Sequence, residues 1–270
     1  MKRNIRRALV LWTALLTCFL GWTVQAEPAT YTRPAGQPQD LTALLEKPSW
    51  MADDYRTLAG QTGLAPAALD LLREQGELAV IPAVQQAYFQ PVAIQCTVYS
   101  LAARSERLVD GRNMLVALED GDILLTPCSH VFGWRNGHAA LVVDAQAGVT
   151  LEAATVGQAS ALGSLDKWAR TPAVAVYRLR GADAATRAAV ARAAVRRLTG
   201  VPYALTVGLF SDKHPTGAVQ GTQCAHLVWE AYAAFGYDLD ANGGPIVTPG
   251  DLARSPLLEL KQVCGLPLAG

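Results

Sequence analysis

Cys224, His138 and Glu152 are the residues of this chain whose types and placement could together break an acyl bond. Cys224 lies in the run Gly221-Thr222-Gln223-Cys224-Ala225-His226-Leu227-Val228-Trp229, at the start of an apolar stretch with helical spacing. A thiol attacks only as a thiolate. The first turn of a helix favours that form, because its N–H groups lack intrahelical partners and carry partial positive charge. The same N–H groups can line an oxyanion hole. A small buried hydrophobe is the competing reading of Cys224. His138 opens the strand-like run His138-Ala139-Ala140-Leu141-Val142-Val143-Asp144 directly after Gly137, where a rigid strand end could hold a base. Glu152 follows on the strand expected to return beside it, and could orient the imidazole and stabilise its charged form. A thiol, an imidazole and an orienting carboxylate are the parts of a cysteine hydrolase.

Other candidates fit less well. Asp144 is a rival for the orienting role, but it sits at the far end of its strand from His138. His226 is two residues past Cys224, and helical residues at that separation face different ways. His130 and His214 fall in polar stretches and read as surface residues. There is no HExxH and no paired CxxC, so neither a metal nor a cofactor is expected.

The elements that must position these residues follow from periodicity and punctuation. Leu41, Leu44 and Leu45 recur at helical spacing, and Pro66 to Leu72 reads as a second helix, with Gly76 past its end. Residues 91–98 alternate and carry β-branched side chains, as a strand does. From Leu118 the chain becomes strand-rich. A turn at Glu119-Asp120-Gly121-Asp122 leads into Ile123 to Thr126, and Pro127 to Gly137 reads as a polar loop. Then come strands at His138, at Val149 to Ala153 and at Val174 to Leu179. Asp183 is placed to cap an Ala/Arg-rich helix ending before Gly200, and Thr222 to cap the Cys224 helix, which ends near Gly236. Leu227, Val228, Ala231, Tyr232 and Phe235 form the expected buried stripe of that helix. Pro245 to Asp251 and Ser255-Pro256 read as a C-terminal loop. The fold class is α+β.

The chain opens with Lys2, Arg3, Arg6 and Arg7, an apolar run from Ala8 to Trp22, and Val24-Gln25-Ala26. This is the pattern of a secretory signal over residues 1–26, which predicts export and no membrane span once the signal is removed. The formal net charge of the whole chain is +0. Losing four basic residues and no acidic one leaves it slightly acidic, which argues against a nucleic-acid partner. An oxidising compartment would permit one disulfide among Cys96, Cys128 and Cys264, with the pair not specified by sequence.

Four runs in this order carry a resemblance: Asp120-Gly121-Asp122-Ile123-Leu124, Asn136-Gly137-His138-Ala139-Ala140-Leu141-Val142, Leu151-Glu152-Ala153, and Thr222-Gln223-Cys224-Ala225-His226-Leu227-Val228-Trp229. Together they resemble the YiiX/YebB-like family of NlpC-type papain-like cysteine hydrolases, in the circularly permuted branch, where histidine precedes cysteine. The match covers about Leu118 to Val263. It implies a permuted papain-like domain over 118–270, an antiparallel sheet packed on the nucleophile helix, preceded by a mainly helical extension over 27–117. It implies Cys224 as nucleophile, His138 as base and Glu152 as the third member. Tyr203, in Gly200-Val201-Pro202-Tyr203, resembles a family tyrosine that lines the site or assists the oxyanion. Trp134 and Arg135, in the loop before His138, are expected to line a cleft, with Arg135 meeting a substrate carboxylate. The resemblance further implies a peptide, amide or acyl-ester substrate, cleaved through a thioester. Lipid-directed acyl transfer and a non-catalytic envelope-binding module are the alternatives.

Overall fold

The computed structural model describes residues 2–26, 31–99, 103–131 and 134–267. Helix α1 (Lys2–Ala26) carries exposed apolar side chains, among them Leu9, Leu11, Trp12 and Phe19. Among the described residues no helix is long and apolar enough to cross a membrane. Four short helices follow: α2 (Thr42–Leu45), α3 (Ala52–Thr62), α4 (Pro66–Glu74) and, after a 3-10 turn at Leu78–Val80, α5 (Ile81–Phe89). Their starts are chemically marked. The Asp54 carboxylate accepts from the Met51 N–H at 2.9 Å, and α4 and α5 carry proline in the first turn, where no backbone donor is needed. Leu58, Leu64, Leu69, Leu72, Ile81 and Val84 form their core.

The rest alternates strands and helices. Strands β1 (Ile94–Val98) and β2 (Ala103–Leu108) form a hairpin; β3 (Ile123–Thr126), β4 (Ser129–Val131), β5 (Trp134–Arg135), β6 (His138–Asp144), β7 (Val149–Glu152) and β8 (Ala161–Ser164) come next. Helix α6 (Leu165–Ala169), strand β9 (Val174–Leu179), and helices α7 (Ala184–Leu198), α8 (Cys224–Ala233) and α9 (Pro249–Ala253) lead to the last strand, β10 (Leu258–Cys264). A six-stranded antiparallel sheet runs β10-β9-β3-β6-β7-β8, and a four-stranded antiparallel sheet runs β1-β2-β4-β5. The fold is α+β.

The large sheet is buried on both faces, so its central strand β6 is apolar almost throughout. Alternation divides its side chains. Ile123, Leu125, Leu141 and Leu151 pack on α7 and α8, whereas Leu124, Ala140, Val142, Val174 and Val176 pack around Trp168. Asp183 caps α7, accepting from the Thr186 N–H at 2.7 Å.

Several expectations are corrected. Gln223, not Thr222, caps α8, because its longer side chain reaches the Ala225 N–H at 2.9 Å while Thr222 Oγ1 bonds His226 Nδ1. Helix α8 has no solvent face from Cys224 to Tyr232, and Phe235 lies beyond it, exposed. The stretch Pro127–Gly137 holds β4 and β5, so the small sheet joins residues on both sides of the expected boundary at 117/118. The helical N-terminal part is also sewn to β10: Val263 N–H donates to Gly63 O and Ala65 N–H to Lys261 O, both at 2.8 Å. Gly63 sits at φ 72°, and a Cβ there would lie 2.0 Å from Val263 O, so the close approach requires glycine. Elements β2, β8, α6 and β10 lie outside those expected from the sequence, and α9 (Pro249–Ala253) replaces the end of the loop expected over Pro245–Asp251 because Thr248 caps a helix there.

Candidate active site

The three chemical residues come from three different elements of one region. His138 is the first residue of β6, opposite Thr126 of β3. Gly137 turns the chain into that strand at φ 72°, and a Cβ there would lie 2.8 Å from Thr126 O. Glu152 is the last residue of β7, the strand that pairs with β6. Cys224 is the first residue of α8, which packs on β6. The Gln223 side chain fixes that helix start twice, accepting from Ala225 N–H and donating from Nε2 to Val247 O at 2.5 Å.

His138 links the other two. Its Nε2 bonds Glu152 Oε2 at 2.7 Å, and the imidazole is close enough to the Cys224 sulfur to shift its acidity, while the thiol itself contacts Gln223 Oε1 at 3.5 Å. With Nε2 occupied by the carboxylate, Nδ1 is the nitrogen that serves the sulfur. All three side chains are buried.

Glu152 is held by four donors. Besides His138, Thr150 Oγ1 donates to Oε1 at 2.9 Å, Trp168 Nε1 to Oε1 at 3.1 Å, and Lys167 Nζ to Oε2. The Trp168 indole also stacks on the His138 ring, centroids 5.5 Å apart and planes within 12°. Residue 163 must be small: a Cβ there would meet Glu152 Oε1 at 2.4 Å and Thr150 Oγ1 at 2.7 Å.

The charges follow from these contacts. Burial pushes the Cys224 thiol up, but the neighbouring His138, with the Ala139 and Ala225 N–H groups, outweighs it and holds the thiol below its ordinary value. Burial works against a charged His138, yet Cys224 and Glu152 raise its pKa. Burial likewise opposes the Glu152 carboxylate, and His138 and Lys167 more than offset it, holding it well below the usual carboxylate range. Each member favours the charged form of its neighbour, so the contacts pull the pair toward thiolate and imidazolium, with the carboxylate behind them.

The sulfur opens on a cleft of about 650 Å³. Tyr203 lines it, held beside Cys224 by a parallel bridge to Thr222, and burial with the negative Cys224 raises its phenol pKa. Trp134 and Arg135 do not line the cleft. Trp134 is 65% exposed on β5, and Arg135 is turned to Glu106 at 2.8 Å and Pro127 O at 3.0 Å, because a neighbouring strand supplies a buried carboxylate. His130 is likewise not at the surface: it is buried on β4 with Nε2 3.1 Å from Glu106. His214, partly exposed, bonds Glu230 at 2.6 Å. His226 bonds Thr222 and Lys213 O, and burial lowers its pKa. Asp144 caps its own turn, accepting from Ala147 N–H at 2.8 Å. Among the described residues no disulfide joins Cys96, Cys128 and Cys264. Among the described residues no group of three or more His, Cys, Asp or Glu is placed to hold a metal ion.

Lys167, Trp168, Thr150 and Gly163 are the site residues that sequence reasoning missed. One signal was available: Ser164 caps α6, accepting from the Asp166 N–H at 3.1 Å, which marks a helix start just before Lys167 and Trp168.

No family model matches the chain, and no curated protein matches it. One solved structure, that of the metalloprotein YiiX from Escherichia coli O157:H7, is similar to 56% of this chain and to all of its own chain, with 14% sequence identity and a TM-score of 0.40.

Proposed function

We propose that this chain is an exported cysteine hydrolase of the circularly permuted papain-like kind, acting on an amide or ester bond. The observation that carries the reading is the buried row of Cys224, His138 and Glu152 opening on a cleft. In this reaction the Cys224 thiolate attacks the carbonyl carbon, and the C=O π pair moves onto oxygen. The Cys224 N–H, at the first position of α8, is the donor expected to face that oxyanion, with Tyr203 beside it. Collapse breaks the bond to the leaving group, which takes the proton from His138 and leaves a thioester. His138 then removes a proton from water as that water attacks the thioester, and the acid departs with the thiolate restored. Glu152 keeps the ring oriented through both steps, and Trp168 and Lys167 keep Glu152 in place.

Peptide or amidated envelope compounds are the proposed substrates, and the basic, apolar opening of the chain supports export. Leu205 and Tyr99 line the cleft while 41% and 51% exposed, which favours acyl-chain substrates as a second reading. The test is a panel of amides and esters with the wild-type chain and Cys224→Ala. Turnover that depends on Cys224 supports the proposal, and identical cleavage by both proteins contradicts it. Amine or hydroxyl acceptors added to the assay give new acylated products if transfer competes with hydrolysis.

A further inference from the structure

The charge lining the cleft is one-sided. Arg104, Arg107, Lys167 and Arg170 line it, and no Asp or Glu does among the described residues. Two of these cations are already matched: Lys167 by Glu152 and Arg170 by Asp166, at 3.0 Å. Arg107 is different. Its Nε and Nη2 donate to the Tyr99 hydroxyl at 3.2 and 3.0 Å, and its Nη1 donates to Lys167 O at 2.8 Å and Thr171 Oγ1 at 2.6 Å. None of these acceptors is charged. A guanidinium has five N–H groups, and one on Nη2 is left over by these bonds. Neither Arg107 nor Arg104 forms an ion pair among the described residues.

Arg107 is also fixed relative to the reacting sulfur. It bonds the α6 backbone at Lys167, whose side chain holds Glu152, and Trp168 beside it stacks on His138. Strand β2 is tied to the same segment through Leu108 N–H to Arg170 O at 2.9 Å. The guanidinium is thus rigid, half-buried and uncompensated in a wall of the cleft. Such a group recognises a carboxylate or phosphate with a charge-assisted hydrogen bond.

We infer that the small sheet supplies an anion subsite, centred on Arg107 with Arg104 at its edge, and that the substrate bears a carboxylate or phosphate beside its scissile bond. This rests on the cleft being the substrate site of the proposed hydrolase. Binding to the full chain carrying Cys224→Ala tests it without requiring turnover. The probes are acetylated dipeptide amides identical except for one residue: glutamate, phosphoserine, glutamine or lysine. Calorimetry is expected to give Kd values about tenfold tighter for the glutamate or phosphoserine probe than for the glutamine probe, and weakest for lysine. A preference for glutamate identifies a carboxylate source, and one for phosphoserine a phosphate source. Adding Arg107→Gln is expected to erase the difference, and Arg107→Lys to restore part of it. Equal affinity for the glutamate, phosphoserine and glutamine probes overturns the inference, as does tightest binding of lysine, no binding by any probe, or a preference that survives Arg107→Gln. If Arg107→Gln does not fold, the ranking of the four probes on the Arg107-containing protein decides alone. Failure of the hydrolase reading shows separately, as wild-type Cys224 that reacts with iodoacetamide no faster than a free thiol.

Discussion

A glutamate, a histidine and a cysteine gather beside each sheet of this molecule, and the two thiols are tuned in opposite directions. In the large sheet Glu152 bonds His138 Nε2 at 2.7 Å, and Cys224 is held toward its thiolate. In the small sheet Glu106 lies 3.1 Å from His130 Nε2, and Cys128 follows β3. There burial and the Glu106 charge push the thiol up to about 12, although Thr126 and Ala173 oppose it. Both cysteines are buried, so burial alone does not separate them. The difference lies in what faces the sulfur. The field at Cys224 comes from an imidazole and two N–H groups, whereas that at Cys128 comes from a carboxylate, with Ala173 O in contact at 3.8 Å. Glu106 is instead engaged by Arg135. Residue types alone do not make a nucleophile; the sign of the nearest charge does.

The largest expected effect separates the two thiols outright. Cys224→Ala is expected to lower turnover of a cleaved amide or ester by about 10⁴-fold or more, whereas Cys128→Ala changes it less than about twofold. Comparable losses from both would erase the contrast. His138→Ala comes next. Removing the imidazole leaves Cys224 in a setting like that of Cys128, so a rate loss of about 10³-fold is expected, with slow alkylation at neutral pH.

Glu152→Gln keeps the shape and removes the charge. A loss of about 10²-fold in kcat is expected, with the alkylation midpoint of Cys224 moving upward. Glu152→Ala strips the partner from a buried charge cluster and should cost about 3–5 kcal/mol in denaturant unfolding. The folded Glu152 pKa lies below its unfolded value of about 4.3. Its stabilisation is therefore complete above that pH and is lost as pH falls through the depressed folded value. A wild-type acid-unfolding curve that loses this stability near neutral pH contradicts the assignment.

Gly163→Ala sharpens the comparison more gently. The added methyl must displace Glu152 or Thr150, at a cost of about 1–3 kcal/mol, with a partial loss of kcat. Trp134→Ala is the smallest change. An exposed side chain outside the cleft should shift stability by less than about 0.5 kcal/mol and leave KM unaltered. A raised KM would return Trp134 to the substrate wall.

Local signals in the sequence located the parts of this site, and long-range geometry decided how they met. A strand beginning at His138 after a glycine and a helix beginning at Cys224 both depend on punctuation within a few residues. Glu152 was reachable as the end of the returning strand, although its pairing partner depended on register. Arg135 and His130 were misread because Glu106, on β2, has no periodic signal linking it to the stretch after Pro127. Trp168 and Lys167 reach Glu152 from a five-residue helix whose cap is visible and whose target is not. Strand β10 escaped notice because it buries Lys261 and Gln262, polar residues, with Lys261 paired to Glu259 of the same strand at 3.7 Å and Gln262 donating to the distant Met114 O at 2.8 Å.

The central claim is that Cys224 rests as a thiolate paired with His138, and the pH dependence of its alkylation by iodoacetamide tests it most directly, followed by mass spectrometry at Cys224 and Cys128 in the folded protein. The account predicts a Cys224 midpoint clearly below the free-thiol value of about 8.5, rising in His138→Ala, while Cys128 stays unreactive until the chain unfolds. A Cys224 midpoint at or above the free-thiol value would contradict it.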